Sequence, residues 1–151
     1  MKDSPDHDNP RKVWMGLMAK APEGRVAALL DAAMTRPAYR WLRAPEIGTA
    51  MVRGRAGGRG AAFNMGEVTV TRCALTLDDG TVGHAYVQGR RTADATAAAL
   101  VDALMQGPDA DRIRTAVLDP LADEQTDRRA ARATRAAATK VEFFTMTRGE
   151  D

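Results

Sequence analysis

The run EVTVTRCALTL at 67–77, followed by Asp79-Gly80 and TVGHAYV at 81–87, restricts the fold more than any other stretch of this chain. Threonine, valine and leucine suit a pleated, half-buried backbone, and Asp-Gly accepts the positive φ angles of a tight hairpin turn. The spacing predicts two antiparallel strands joined by a two-residue turn. In that register Leu77 faces Val82, Leu75 faces His84 and Cys73 faces Tyr86, so all six side chains share one face.

Helical patterns flank this hairpin. Asn9-Pro10 reads as a cap followed by proline at the first helical position, and Trp14, Leu17, Met18 and Ala21 recur at spacings of three and four until Pro22 stops the run. A second helix carries Val26, Leu29, Leu30, Ala33 and Met34 on one side, and Arg36-Pro37 interrupts it. YRWLRAPEIG at 39–48 then reads as a turn or connector. From Ile47 the period changes to 2, so IGTAMVRGR is predicted as the first strand, leading into a glycine-rich loop.

Beyond the hairpin, the segment from Thr92 reads as a helix stopped by Gly107-Pro108, and DADRIRTAVL as a short helix. Asp119-Pro120 opens an alanine-rich helix of about twenty residues, with Asp123, Glu124 and Asp127 early and four arginines later, which suits the helix dipole. KVEFFTMT at 140–147 is predicted as a final strand, with Phe143 and Phe144 buried or at an interface. The expected fold class is α+β: N-terminal helices, an antiparallel sheet of about four strands with a glycine–arginine loop, C-terminal helices and a last strand. Residues 1–9 are read as a disordered polar tail and 10–151 as one domain.

Of the 151 residues 44% are hydrophobic but only 5% aromatic, and alanine makes up much of the apolar share, so the core should be thin. A thin core argues for a partner that supplies apolar surface. The single Cys73 forms no internal disulfide, and the charged start MKDSPDHDNPRK has no apolar h-region, which makes cytoplasmic localisation the expectation. A net charge of +2 is too small to mark a nucleic-acid binder. The segment from Arg43 to Arg91 is nonetheless basic, with seven arginines (43, 53, 55, 59, 72, 90, 91) against Glu46, Glu67, Asp78 and Asp79.

Within that segment, MVRGRAGGRGAAFNMGE at 51–67 holds the ingredients of an anion cradle. Gly57, Gly58 and Gly60 let backbone amides turn toward an anion, and Arg53, Arg55 and Arg59 supply charge and forked donors. The loop lacks the lysine and hydroxyl of a P-loop and misses the dinucleotide fingerprint, so a solvated hairpin loop is an equally open reading. Glu67 could orient Arg55 or Arg59, act as acid or base, or only begin a strand. Arg72 could point to the loop's side or form an ordinary ion pair. His84, beside Cys73 in the expected register, reads as a half-buried or interface histidine; two ligands make no metal site within the chain and none is expected there, while a site shared across a subunit interface stays open. Arg128, Arg132 and Arg135 recur at helical spacing, as a basic stripe or a solvated face.

Three segments together, LRAPEIGTAMVRGRAGGRGAAFNMGEVTVTRC, GHAYVQGR and AAATKVEFFTMTRGE, resemble the PhnG family of the bacterial carbon-phosphorus lyase system, in order and spacing from about Trp14 to Glu150. The resemblance implies a cytoplasmic subunit of a multi-chain transferase. Members act with PhnH, PhnI and PhnL to displace adenine from ATP with an alkylphosphonate, giving alpha-D-ribose 1-methylphosphonate 5-triphosphate, and PhnG, PhnH, PhnI, PhnJ and PhnK assemble into a larger core. It implies no cofactor bound by this chain itself, ATP being a substrate of the complex, and it carries over no catalytic residue, so the catalytic residues stay unknown. Arg53, Arg55, Gly57, Gly58, Arg59, Gly60, Glu67 and Arg72 are therefore carried forward as a candidate phosphate-binding or subunit-contact surface. A non-catalytic structural adaptor is the alternative, and a nucleic-acid-binding module a further one.

Overall fold

A computed structural model describes residues 9–147, without the side chains of Ala56 and 140–147. Its elements are α1 (Pro10–Ala19), α2 (Arg25–Ala33), β1 (Tyr39–Arg55), β2 (Ala62–Leu77), β3 (Val82–Gln88), α3 (Thr92–Leu104), α4 (Ala110–Ile113) and α5 (Asp119–Thr147). A π-helical turn, Arg114–Leu118, joins α4 to α5. The α+β class is as read from the sequence, with three strands among the described residues, all antiparallel in the order β1-β2-β3. The expectation of a disordered tail falls mostly on residues 1–8, outside the described residues; Asn9 is ordered enough to cap α1, its side chain accepting from Arg11 N at 3.1 Å.

The body is layered around α3. Residues 94–104 are all buried, because the sheet covers one side of this helix while α1 and α2 cover another. Its alanines let the sheet come close. Gly83 of β3 lies so near α3 that a Cβ there would collide with the Ala99 carbonyl and sit 3.0 Å from Ala103 Cβ. Thr71, Cys73 and Leu75 of β2 and Ala85 and Val87 of β3 fill the same interface. The Cys73 thiol donates to the Ala95 carbonyl at 3.3 Å, and burial pushes its pKa up to about 11.

Two buried carboxylates on α3, eight residues apart, tie the layers together. Asp94 accepts from Gly24 N at 2.7 Å and Ala27 N at 3.4 Å, so a carboxylate from another element satisfies the orphan amides at the start of α2. Asp102 accepts from Arg11 Nε (3.1 Å) and Nη2 (2.8 Å), Trp14 Nε1 (2.9 Å) and the His84 amide (2.8 Å). It joins α1, α3 and the edge strand β3 in one network, and its hydrogen bonds hold the Arg11 guanidinium above the usual arginine range. No buried side-chain polar atom among the described residues lacks a partner.

Several expectations are corrected here. The stretch 39–48 is strand, not connector; Pro45 fits because it sits in a register irregularity of an edge strand, between Arg43 and Glu46, where no ladder donor is needed. The β2–β3 loop has three residues rather than two: Leu77 N donates to the Thr81 carbonyl at 2.9 Å and Gly80 takes φ 88°. That extra residue moves the register by one, pairing Thr76 with Val82 and Ala74 with His84, and turns His84 and Tyr86 onto the face opposite Cys73. The predicted strand at 140–147 is the end of α5, since no glycine or proline interrupts the chain between Leu121 and Arg148. Phe143 and Phe144 belong to this helix, their side chains outside the described residues. The long helix has 29 residues, more than expected.

Truncating Asp102→Ala leaves the Trp14 and His84 donors without their buried acceptor, so denaturant unfolding should show a loss of about 3 kcal/mol. Gly83→Ala should lower stability by about 2 kcal/mol or more through the clash with α3. A loss under about 0.5 kcal/mol in both would contradict this packing.

Candidate functional site

The glycine–arginine segment is not a pocket in the body but the tip of an arm. From Thr49 to Arg55 and from Ala62 to Thr69, β1 and β2 run on as a two-stranded ribbon beyond β3 and the helices, roughly 20 Å at about 3.3 Å per residue. Almost every residue from Met51 to Val68 is exposed. A short 3₁₀ turn, Ala56–Gly58, reverses the chain, and Gly57 and Gly58 take φ 58° and 74°, angles that disfavour any side chain.

Cross-strand pairing sorts the arm into two unlike faces. On one, Gly48, Ala50, Val52 and Gly54 stand opposite Val70, Val68, Gly66 and Phe63. A bulge between Val52 and Arg53 adds Met65 to this face, its side chain lying over Gly54 where a Cβ would otherwise be. The result is an apolar stripe that is buried at Val70 and open to solvent further out, with Phe63 50% and Met65 65% exposed. The other face pairs Met51 with Glu67, Arg53 with Asn64 and Arg55 with Ala62. Water does not reward the apolar stripe, whereas a covering partner would gain its hydrophobic burial.

The apolar stripe continues onto the body. Because the described helices gather on the Cys73 side of the sheet, the opposite side leaves Tyr86 44% exposed and His84 exposed, next to Arg72 and Ala74. Glu46 accepts from Arg72 at 3.0 Å and lies 3.2 Å from Arg43, forming a charged rim at the base of the arm.

The structure thus divides the sequence-predicted residues. Arg53, Arg55, Gly57, Gly58, Arg59 and Gly60 come together at the tip, all exposed, and none of the three arginines forms an ion pair among the described residues. Glu67 stands opposite Met51, four β1 positions short of Arg55, and is likewise without an ion pair there, so it orients neither Arg55 nor Arg59. Arg72 sits at the arm's base in an ordinary ion pair, some ten β2 residues from Ala62. His84 is exposed rather than half-buried, and only its backbone takes part in the Asp102 network. Among the described residues no three His, Cys, Asp or Glu converge to hold a metal ion. Sequence reasoning passed over Phe63, Met65 and Val68; their signal was large apolar residues beside glycines on both sides of a turn.

Comparison with known proteins matches most of the chain to one family. The family described as phosphonate metabolism protein PhnG matches residues 9–149. A relative from Rhizobium meliloti (strain 1021), alpha-D-ribose 1-methylphosphonate 5-triphosphate synthase subunit PhnG, is 42% identical over 143 residues, covering 93% of this chain and 90% of its own length. Among the described residues no helix is long and apolar enough to cross a membrane.

Since the tip arginines hold nothing in place within the chain, replacing Arg53, Arg55 and Arg59 together by alanine should change the unfolding free energy by less than about 0.5 kcal/mol. A larger loss would mean that they serve the fold.

Proposed function

Because this chain belongs to the PhnG family of phosphonate metabolism proteins, we propose that it is the PhnG subunit of an alpha-D-ribose 1-methylphosphonate 5-triphosphate synthase. In this reading it acts with PhnH-, PhnI- and PhnL-type subunits to transfer an alkylphosphonate to the ribose C1 of ATP with release of adenine, and PhnJ- and PhnK-type chains join the wider assembly. The isolated chain is inactive. The observation that supports this is the arm, which carries an apolar stripe on one face, Arg53 and Arg55 on the other and Arg59 in its turn, the three arginines lacking any ion pair among the described residues.

The physical requirements of the reaction match such a device. Attack at the anomeric carbon breaks the C1–N bond to adenine and forms a C1–O bond to the phosphonate, bringing a phosphonate dianion toward a triphosphate. Like charges at that range repel strongly unless cations or fixed dipoles intervene. A neighbouring subunit that wraps the arm, covering the apolar stripe on one face and enclosing the other, would hold Arg53 and Arg55 from that second face and Arg59 from the turn at its site, where desolvation strengthens each charge-assisted hydrogen bond. The alternative reading, a structural adaptor, draws on the same stripe and leaves the arginines outside the chemistry.

Two sets of substitutions in the reconstituted complex separate these readings, with adenine release and co-purification as readouts. Val52→Ser, Met65→Ser and Val68→Ser together should abolish co-purification with the partner subunits while leaving the chain folded. Arg53→Ala, Arg55→Ala and Arg59→Ala together should leave assembly intact and lower adenine release roughly a hundredfold, the loss of two or three charge-assisted contacts in the transition state. Full activity from the arginine variant would leave only the adaptor reading, and normal assembly by the serine variant would remove the arm from both.

A further inference from the structure

A second basic site lies away from the arm tip, where α1 meets α5. A cleft of about 350 Å³ there is lined by Lys20, Gln88, Gln125, Arg128, Arg129 and Arg132. Its construction follows from local geometry: Gln125, Arg128, Arg129 and Arg132 stand at positions i, i+3, i+4 and i+7 and project from one side of α5, Lys20 comes from the C-terminal end of α1, and Gln88 ends β3. Four cations therefore converge from two helices. No carboxylate lines the cleft, and none of the four takes part in an ion pair among the described residues. The nearby acid Glu124 is occupied elsewhere, bonded to Arg25 at 2.7 Å.

We infer that this cleft binds the condensed phosphate chain of a small oligophosphate. Like charges gathered without counter-charges repel one another, and a compact polyanion relieves that repulsion at several points together. Three guanidinium forks and an ammonium supply charged donors for adjacent phosphate groups, and two side-chain amides add neutral ones. The lining has no aromatic side chain, so it offers no stacking platform for the bases of a single-stranded nucleic acid. A larger cavity of about 580 Å³ shares Lys20, Gln125 and Arg129 and has Val13, Gly16, Leu17 and Ala122 in its wall, leaving room for a less polar portion of the ligand. This site stands apart from the arm tip, because Gln88 pairs with Val70 at the arm's base, and Gly48, across from Val70, precedes Arg55 by seven residues.

Isothermal titration of inorganic tripolyphosphate into the full chain tests the assignment. Saturable binding at one site is expected, with orthophosphate weaker by roughly tenfold or more. Arg129→Gln with Arg132→Gln, and separately Lys20→Gln on the other helix, should each weaken tripolyphosphate by about tenfold or more at an unchanged unfolding midpoint. The arm-tip variant lacking Arg53, Arg55 and Arg59 should bind as the parent does, so this site stands or falls independently of the arm. Absence of saturable binding, equal affinity in the cleft variants, or tighter binding to duplex DNA than to tripolyphosphate would each overturn the proposal.

Discussion

Asp102 is the group on which the arrangement of this protein rests. A carboxylate with no solvent exposure is tolerable only when its oxygens are fully engaged, and here four donors from α1 and β3 engage them. Those bonds decide where α1 lies and which edge of the sheet it closes. Asp94, two turns away on the same helix, fixes the start of α2 in the same manner. With both N-terminal helices tied to α3 on one side of the sheet, the opposite side is left uncovered by the described helices. An alanine-rich core could not achieve this by side-chain volume alone, because small residues give close approach but little apolar area.

From that constraint the two functional surfaces follow. The arm is an extension of strands whose inner halves are locked between α3 and one another, so its base is rigid even though its outer half touches no helix. Its apolar stripe and the uncovered face bearing Tyr86 and Arg72 form one continuous surface, which suits a chain that works as a component of an assembly. The cleft between α1 and α5 depends on Asp102 more directly, since the helix that carries Lys20 is the one Asp102 anchors through Arg11 and Trp14.

Much of this was legible in the residues, and the failures have physical causes. The capped start at Asn9-Pro10, the stops at Pro22 and Gly107-Pro108, and the apolar spacing of Trp14, Leu17 and Met18 are local signals, and the helices follow them. The hairpin between Leu77 and Val82 was legible too, but its register hinged on one residue: Asp78 joins Asp79 and Gly80 in the loop, which moves His84 from the core face to the open one. The strand at 39–48 was hidden by Pro45 and by its place at the edge of the sheet, where none of its residues is buried, leaving no contrast between its sides for periodicity to detect. At 140–147, valine and paired phenylalanines suggested a strand, yet a helix already under way needs a breaker to end it. The roles of Asp94 and Asp102 join residues 18 to 91 positions apart and have no local signature.

Amide hydrogen–deuterium exchange of this chain, alone and in the reconstituted synthase, tests the central claim most directly: that the arm and the uncovered sheet face are what the protein offers to its assembly. The account predicts that residues 47–70 and 84–88 exchange markedly more slowly in the complex, while α3 is equally protected in both states. Unchanged exchange along the arm, with new protection confined to the helices, would contradict it.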